Sequence, residues 1–252
     1  KKKILAKKKR EIYFPNTTNI MSCALIDRAI EMVGECASLN EVLAASAISF
    51  VMWSTLFATI ITLFKFTKLE KSAKTDFGIE LPSLIHDLWI TIPVSIYFLK
   101  NGLMFEGTSR FANFWEQDTC IFFLVHGIVL ALHGKLSKDH IIHHISTIAA
   151  TYGAIYCGIT NIGVMVNLCT MLSHPPLRLR YLLRSYGLRH TLAYEYMETL
   201  YFVIYIIERT PALTYIFYMG LFHVGIPLWV AATYGFVWVQ SQMFGLEMIR
   251  LF

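Results

Sequence analysis

The sequence predicts an all-α, polytopic integral membrane protein with about seven transmembrane helices, and two observations carry that prediction. Hydrophobic residues make up 56% of the 252 residues and charged ones only 15%, with a mean hydropathy of +0.52. A soluble domain has about 25% charged residues. The apolar surplus also falls in long runs with little or no charge. Together these exclude a disordered chain, a coiled coil, a disulfide-stapled secreted module and a soluble nucleic-acid reader.

A span needs about 20 mostly apolar residues to cross a hydrocarbon core about 30 Å thick. Val42–Phe64 meets this with no charge at all. Leu81–Leu99 follows, with His86 and Asp87 near its start and Pro93 as a kink point. The third span covers Gln117–His133, the fourth His140–Cys157 and the fifth Ile159–Leu172; Tyr156-Cys157-Gly158 joins the last two in a tight hairpin. Leu192–Ile207 makes a sixth, holding Glu195 and Glu198, and the last lies within Ala212–Val239, bent at Pro227. Met21–Leu39 mixes charge and apolar residues at helical spacing and is expected to lie on the bilayer surface. The chain thus divides into a basic tail and interfacial segment (1–40), a first transmembrane helix with its loop (41–76) and a membrane domain (77–252).

The formal net charge of +5 comes largely from Lys1, Lys2, Lys3, Lys7, Lys8, Lys9 and Arg10. Such a tail beside a span is expected to meet anionic headgroups, not nucleic acid. No signal-peptide pattern is seen. The five cysteines (Cys23, Cys36, Cys120, Cys157, Cys169) form no C-x-x-C pair and read as buried thiols. Loops after the first, third and fifth spans are rich in Lys and Arg, while the opposite loops hold only Lys100, Arg110 and Arg209. The positive-inside rule places the richer loops on the cytoplasmic or matrix side, although the basic tail then falls on the other.

Ionisable groups within spans mark interiors or cavities. The densest stretch is Lys138-Asp139-His140-Ile141-Ile142-His143-His144-Ile145-Ser146-Thr147. On a helix His140, His143, His144 and Thr147 share one face, and His126 and His133 share a face of the preceding helix. A short hairpin makes the two helices neighbours, so at least four of these histidines are expected to converge on one pocket. H-x-x-H-H has the spacing of one histidine box of membrane di-iron enzymes, but no second box occurs, so no metal or other cofactor is assigned. The remaining alternatives are acid–base catalysis by His143 or His144, and hydrogen bonding between helices or a place at the interface at the helix start. Mid-span acids deep enough for a pump or channel are largely missing. Glu195 is placed at the interface, Glu198 is left open, Asn161 and Asn167 are expected to bond across helices, and Arg178, Arg184 and Arg189 read as unpartnered surface residues.

His143-His144-Ile145-Ser146-Thr147, followed by a span, a short turn and Gly163, resembles the double-histidine segment of the TLC domain. That domain is shared by ceramide synthases, translocon-associated membrane proteins and a ceroid-lipofuscinosis membrane protein. The resemblance implies six helices around a lipid-facing cavity. In ceramide synthases a His-Asp pair and a further Asp follow; here Thr170, Met171 and His174 hold those places. Leu172-Ser173-His174-Pro175-Pro176-Leu177-Arg178-Leu179-Arg180 is similar instead to a segment of the smaller TLC-domain proteins, which are implicated in lipid composition and sensing. The resemblance implies lipid handling without ceramide synthase activity, in the endoplasmic reticulum, with His126, His133, Thr147, Ser173 and Arg180 at a lipid. Ser173 is expected to bond a carbonyl freed by the prolines, and Arg180 a headgroup phosphate or a helix end. Two alternatives stand: an acyl-CoA-dependent acyltransferase using His143 or His144, and an accessory subunit among other membrane proteins, with the mitochondrial inner membrane as its compartment.

Overall fold

The computed structural model describes residues 39–251, all helix, turn or short connection. The basic tail and the Met21–Leu39 segment lie outside the described residues but for Leu39, which opens α1 (Leu39–Lys65). There follow α2 (Lys71–Asn101), α3 (Arg110–Leu132), α4 (Lys138–Tyr156), α5 (Thr160–Met171), α6 (His174–Ser185), α7 (Leu192–Ile207), α8 (Leu213–Met219) and α9 (Leu228–Leu251). The all-helical membrane architecture is as expected. Among the described residues, four segments are long and apolar enough to cross a bilayer: Glu41–Lys65, Lys71–Asn101, Arg110–Leu132 and Leu192–Val224.

Helix starts follow local chemistry. Ser109 caps α3 by accepting from the Ala112 N–H at 3.1 Å, and Ser137 caps α4 by accepting from the His140 N–H at 3.2 Å. The His140 ring closes a reciprocal box, with its Nδ1 2.9 Å from Ser137 Oγ. A Ser137→Ala change removes the cap and is expected to cost about 1 kcal/mol, read as a lowered melting temperature in detergent. Between α4 and α5, Gly158 at φ 66 turns the chain in the expected hairpin, its N–H bonded to Ile155 O and that of Ile159 to Ala154 O. Only glycine takes this left-handed conformation without strain.

The His/Pro/Arg segment expected to be a loop is helix α6, because Pro175 and Pro176 sit in its first turn, where no backbone N–H is required. The last expected span is also misplaced. The sixth run continues from α7 through a wide turn (Glu208–Ala212), α8 and a second wide turn (Gly220–Val224), and stops at Gly225, φ 67. Pro227 then starts α9 rather than bending it, and its carbonyl accepts the Ala231 N–H.

α3 packs against α1, α4 and α5; α2 against α1, α5 and α6; α7 against α6; and α9 against α4 and the first wide turn. The short α5 lies in the middle, with Asn161 through Asn167 buried without interruption. Gly163 makes this approach possible: a Cβ there would lie 2.8 Å from Ala154 Cβ and 2.9 Å from Glu116 Cδ. The centre of the bundle is therefore occupied by a helix, and this limits the space left beside the histidines.

Candidate functional site

Where α3 meets α4, aromatic rings stack through the core. His86 lies flat on Phe122 at 3.5 Å between centroids, Phe122 on His126 at 5.4 Å, and His126 on His144 at 5.1 Å. Gly127 admits the His144 ring, whose Nδ1 is 3.0 Å from where a Cβ would stand. Neither ring nitrogen of His86 or His126 has a hydrogen-bond partner, nor does His144 Nδ1. These imidazoles are packed by ring stacking, and His86 Nδ1 also lies 3.7 Å from Asp87 Oδ1.

His143 faces the other way. It lines a small interior cavity of ≈ 20 Å³ with Phe123, Thr147, His174, Arg209 and Tyr234. That volume holds about one water. The lipid-sized hollow expected beside the double histidine is thus reduced to a seat for a single polar group, because α5 fills the centre.

Beside this cavity runs a chain of charge. Glu80 Oε2 accepts from Arg178 Nη1 at 2.7 Å, and Arg178 Nε donates to Asp87 Oδ2 at 3.4 Å. Asp87, 2% exposed, faces His174 Nδ1 at 3.5 Å through its other oxygen. Arg209 Nη2 donates to His174 Nε2 at 3.2 Å. With Nε2 accepting, the His174 proton sits on Nδ1, toward the carboxylate. Arg209 also donates to the Thr170 carbonyl and, at 3.0 Å, to Ser241 Oγ, and its guanidinium lies 5.2 Å from the Tyr205 ring centre.

Among the described residues, no group of three or more His, Cys, Asp or Glu side chains is placed to hold a metal ion. His140, the first histidine of H-x-x-H-H, is spent on the α4 cap.

A family model described as the TLC domain matches residues 48–252. The chain belongs to the TLC-domain family. Comparison with curated proteins gave no match. In this TLC domain the double histidine splits its roles: His144 joins the ring stack, and His143 joins the cavity with Thr147. Thr170, Met171 and His174 stand where the resemblance places a His-Asp pair and a further Asp, yet the fold supplies His174 with a carboxylate from α2, in Asp87.

Other residues of the TLC domain sit elsewhere than expected. His133 ends α3, exposed, with Nδ1 2.9 Å from Val129 O, and is apart from the other imidazoles. Ser173 is fully buried, but its hydroxyl has no partner, so it bonds no freed carbonyl. Arg180 reaches no helix end: it donates to Glu198 Oε1 at 2.8 Å, with the rings of Tyr181, Tyr194 and Tyr201 around it. This settles Glu198 as an ion-pair partner, while Glu195 is exposed. Arg178 is no unpartnered surface residue, and Arg209 belongs to the interior rather than a loop.

Acids are also deeper than the sequence suggested. Glu116 and Asp118 are fully buried; Glu116 accepts from Asn167 Nδ2 at 2.8 Å, as a bond across helices, and Asp118 from Trp53 Nε1 at 3.0 Å. Asn161 bonds Glu106 O and Ser109 Oγ at the start of α3. A charged residue inside an apolar run is the signal that marks Asp87 in the second span, and it would have found Arg209 as well.

Proposed function

We propose that this TLC-domain protein binds a membrane lipid in its interior, in the endoplasmic reticulum, and does not N-acylate a sphingoid base. The observation that carries the reading is the interior cavity, where His143, His174 and Arg209 meet apolar walls formed by Phe123, Val166 and Met171. A buried guanidinium and an imidazole suit the polar end of a lipid, and the walls suit its chain. The space seats one polar group, so the chain enters by displacing side chains around it.

The groups needed for acyl transfer are otherwise engaged. A general base is oriented by a partner and faces the proton it removes. His174 has both ring nitrogens occupied, by Asp87 and Arg209. His144 is walled by Phe123 and His126. His143 has the cavity before it and, among the described residues, no carboxylate paired with it.

Purified protein given long-chain acyl-CoA and a sphingoid base is expected to yield no N-acylated product. Turnover that His144→Ala abolishes would overturn the non-catalytic reading. A photoactivatable lipid is expected to label peptides of α3, α4 and α9, and His143→Phe to lower that labelling about tenfold, the loss of one charge-assisted hydrogen bond. Unchanged labelling in the variant would overturn interior binding.

A further inference from the structure

A second hollow opens on the outer face of the bundle, between α1 and α3, with a volume of ≈ 280 Å³. Phe50, Phe57 and Ile61 line it from α1, and Val125, Ile128 and Leu132 from α3. Phe57 forms a firm floor, 1% exposed and stacked on His126 at 5.9 Å. From Phe50 to Ile61 the groove rises about 17 Å along α1 at 1.5 Å per residue. That is close to half of the ~30 Å hydrocarbon core, the depth of one leaflet.

The groove has a polar end. α1 stops at Lys65 and α3 at Leu132, so the chain turns leave the bundle at the same end. There His133 closes the groove, and Lys65, Lys68, Lys71 and Lys138 are exposed, with no ion-pair partner among the described residues. Their neighbours Lys135 and Lys74 are used, on Asp76 and on the Lys65 carbonyl. Beside these lysines, in the segments 65–76 and 132–139, the acids are Glu70, Asp76 and Asp139, of which Asp76 is already paired. A one-leaflet apolar channel thus ends beneath unpaired ammonium groups.

We propose that an anionic phospholipid of this leaflet docks here, one acyl chain in the groove and its phosphate among Lys65, Lys68, Lys71 and Lys138. The lysines select charge, since each near the surface favours anionic lipid, and the groove selects a chain over a loose counter-ion. The inference goes beyond interior binding, because the groove and the interior cavity share no lining residue.

The test places the full chain in nanodiscs with phosphatidylglycerol or phosphatidylcholine bearing the same photoactivatable acyl chain. Phosphatidylglycerol is expected to label α1 and α3 about tenfold more than phosphatidylcholine. Ala58→Phe, a change at an exposed groove position, is expected to remove the labelling of both lipids there. Lys68→Gln with Lys138→Gln, both on the surface, is expected to remove only the preference, and His143→Phe to change neither. Equal labelling by the two lipids would reduce the groove to ordinary boundary contact and overturn the proposal. A preference that survives the lysine changes would overturn it equally, whatever becomes of the interior site.

Discussion

Asp87→Ala is expected to destabilise the protein by about 3–5 kcal/mol, the cost of leaving a buried charge without its partner. The carboxylate, 2% exposed, stands between Arg178 Nε and His174 Nδ1. Its loss leaves Arg178 on Glu80 alone and His174 with no acceptor for its Nδ1 proton. Thermal unfolding in detergent micelles measures the effect, with Glu195→Ala as an exposed control expected to stay within about 0.5 kcal/mol. Arg178→Leu with Glu80→Gln added to Asp87→Ala is expected to recover part of the loss, since all three charges then leave together. A loss below about 1 kcal/mol for the single variant would show that this network does not hold α2 to α6.

Gly163→Ala is the second large effect, at about 1–3 kcal/mol of overpacking. The added methyl would come within 2.8 Å of Ala154 Cβ and 2.9 Å of Glu116 Cδ. Neither neighbour yields easily: Ala154 Cβ is fixed to the α4 backbone, and Glu116 is held by Asn167 at 2.8 Å. Gly245→Ala in α9 should have the opposite sign. Its methyl would meet nothing nearer than Tyr205 Cε1 at 3.7 Å, and a helical glycine costs about 0.5–1 kcal/mol relative to alanine. Melting temperatures of the two variants, one lowered and one raised, check the packing of α5 against that of α9.

What was legible in the sequence was local or periodic. The uncharged Val42–Phe64 run, the hairpin at Gly158 and the partnership of His126 with His144 all follow from spacing along one or two adjacent helices. What was hidden depends on chain segments far apart. Asp87 and His174 sit on helices that only the finished bundle brings together, and no periodicity pairs them. α6 was hidden for a different reason. Pro175 and Pro176 interrupt a helix interior but are well placed in a first turn, and residue identity alone does not say which position they hold. Arg209 looked like a loop residue because it falls between the runs ending at Ile207 and starting at Ala212, yet the wide turn keeps the helix going and carries the guanidinium inward.

That turn ties three strokes of the chain in one knot. Through a single guanidinium it clasps the end of α5 at Thr170, the start of α6 at His174 and the flank of α9 at Ser241. Gln242 returns the grip on the Arg209 carbonyl at 2.5 Å. The carboxy-terminal helices therefore cannot swing away singly: widening the interior for a tail means unlatching Arg209, and the bundle would part there as a door does at its bolt.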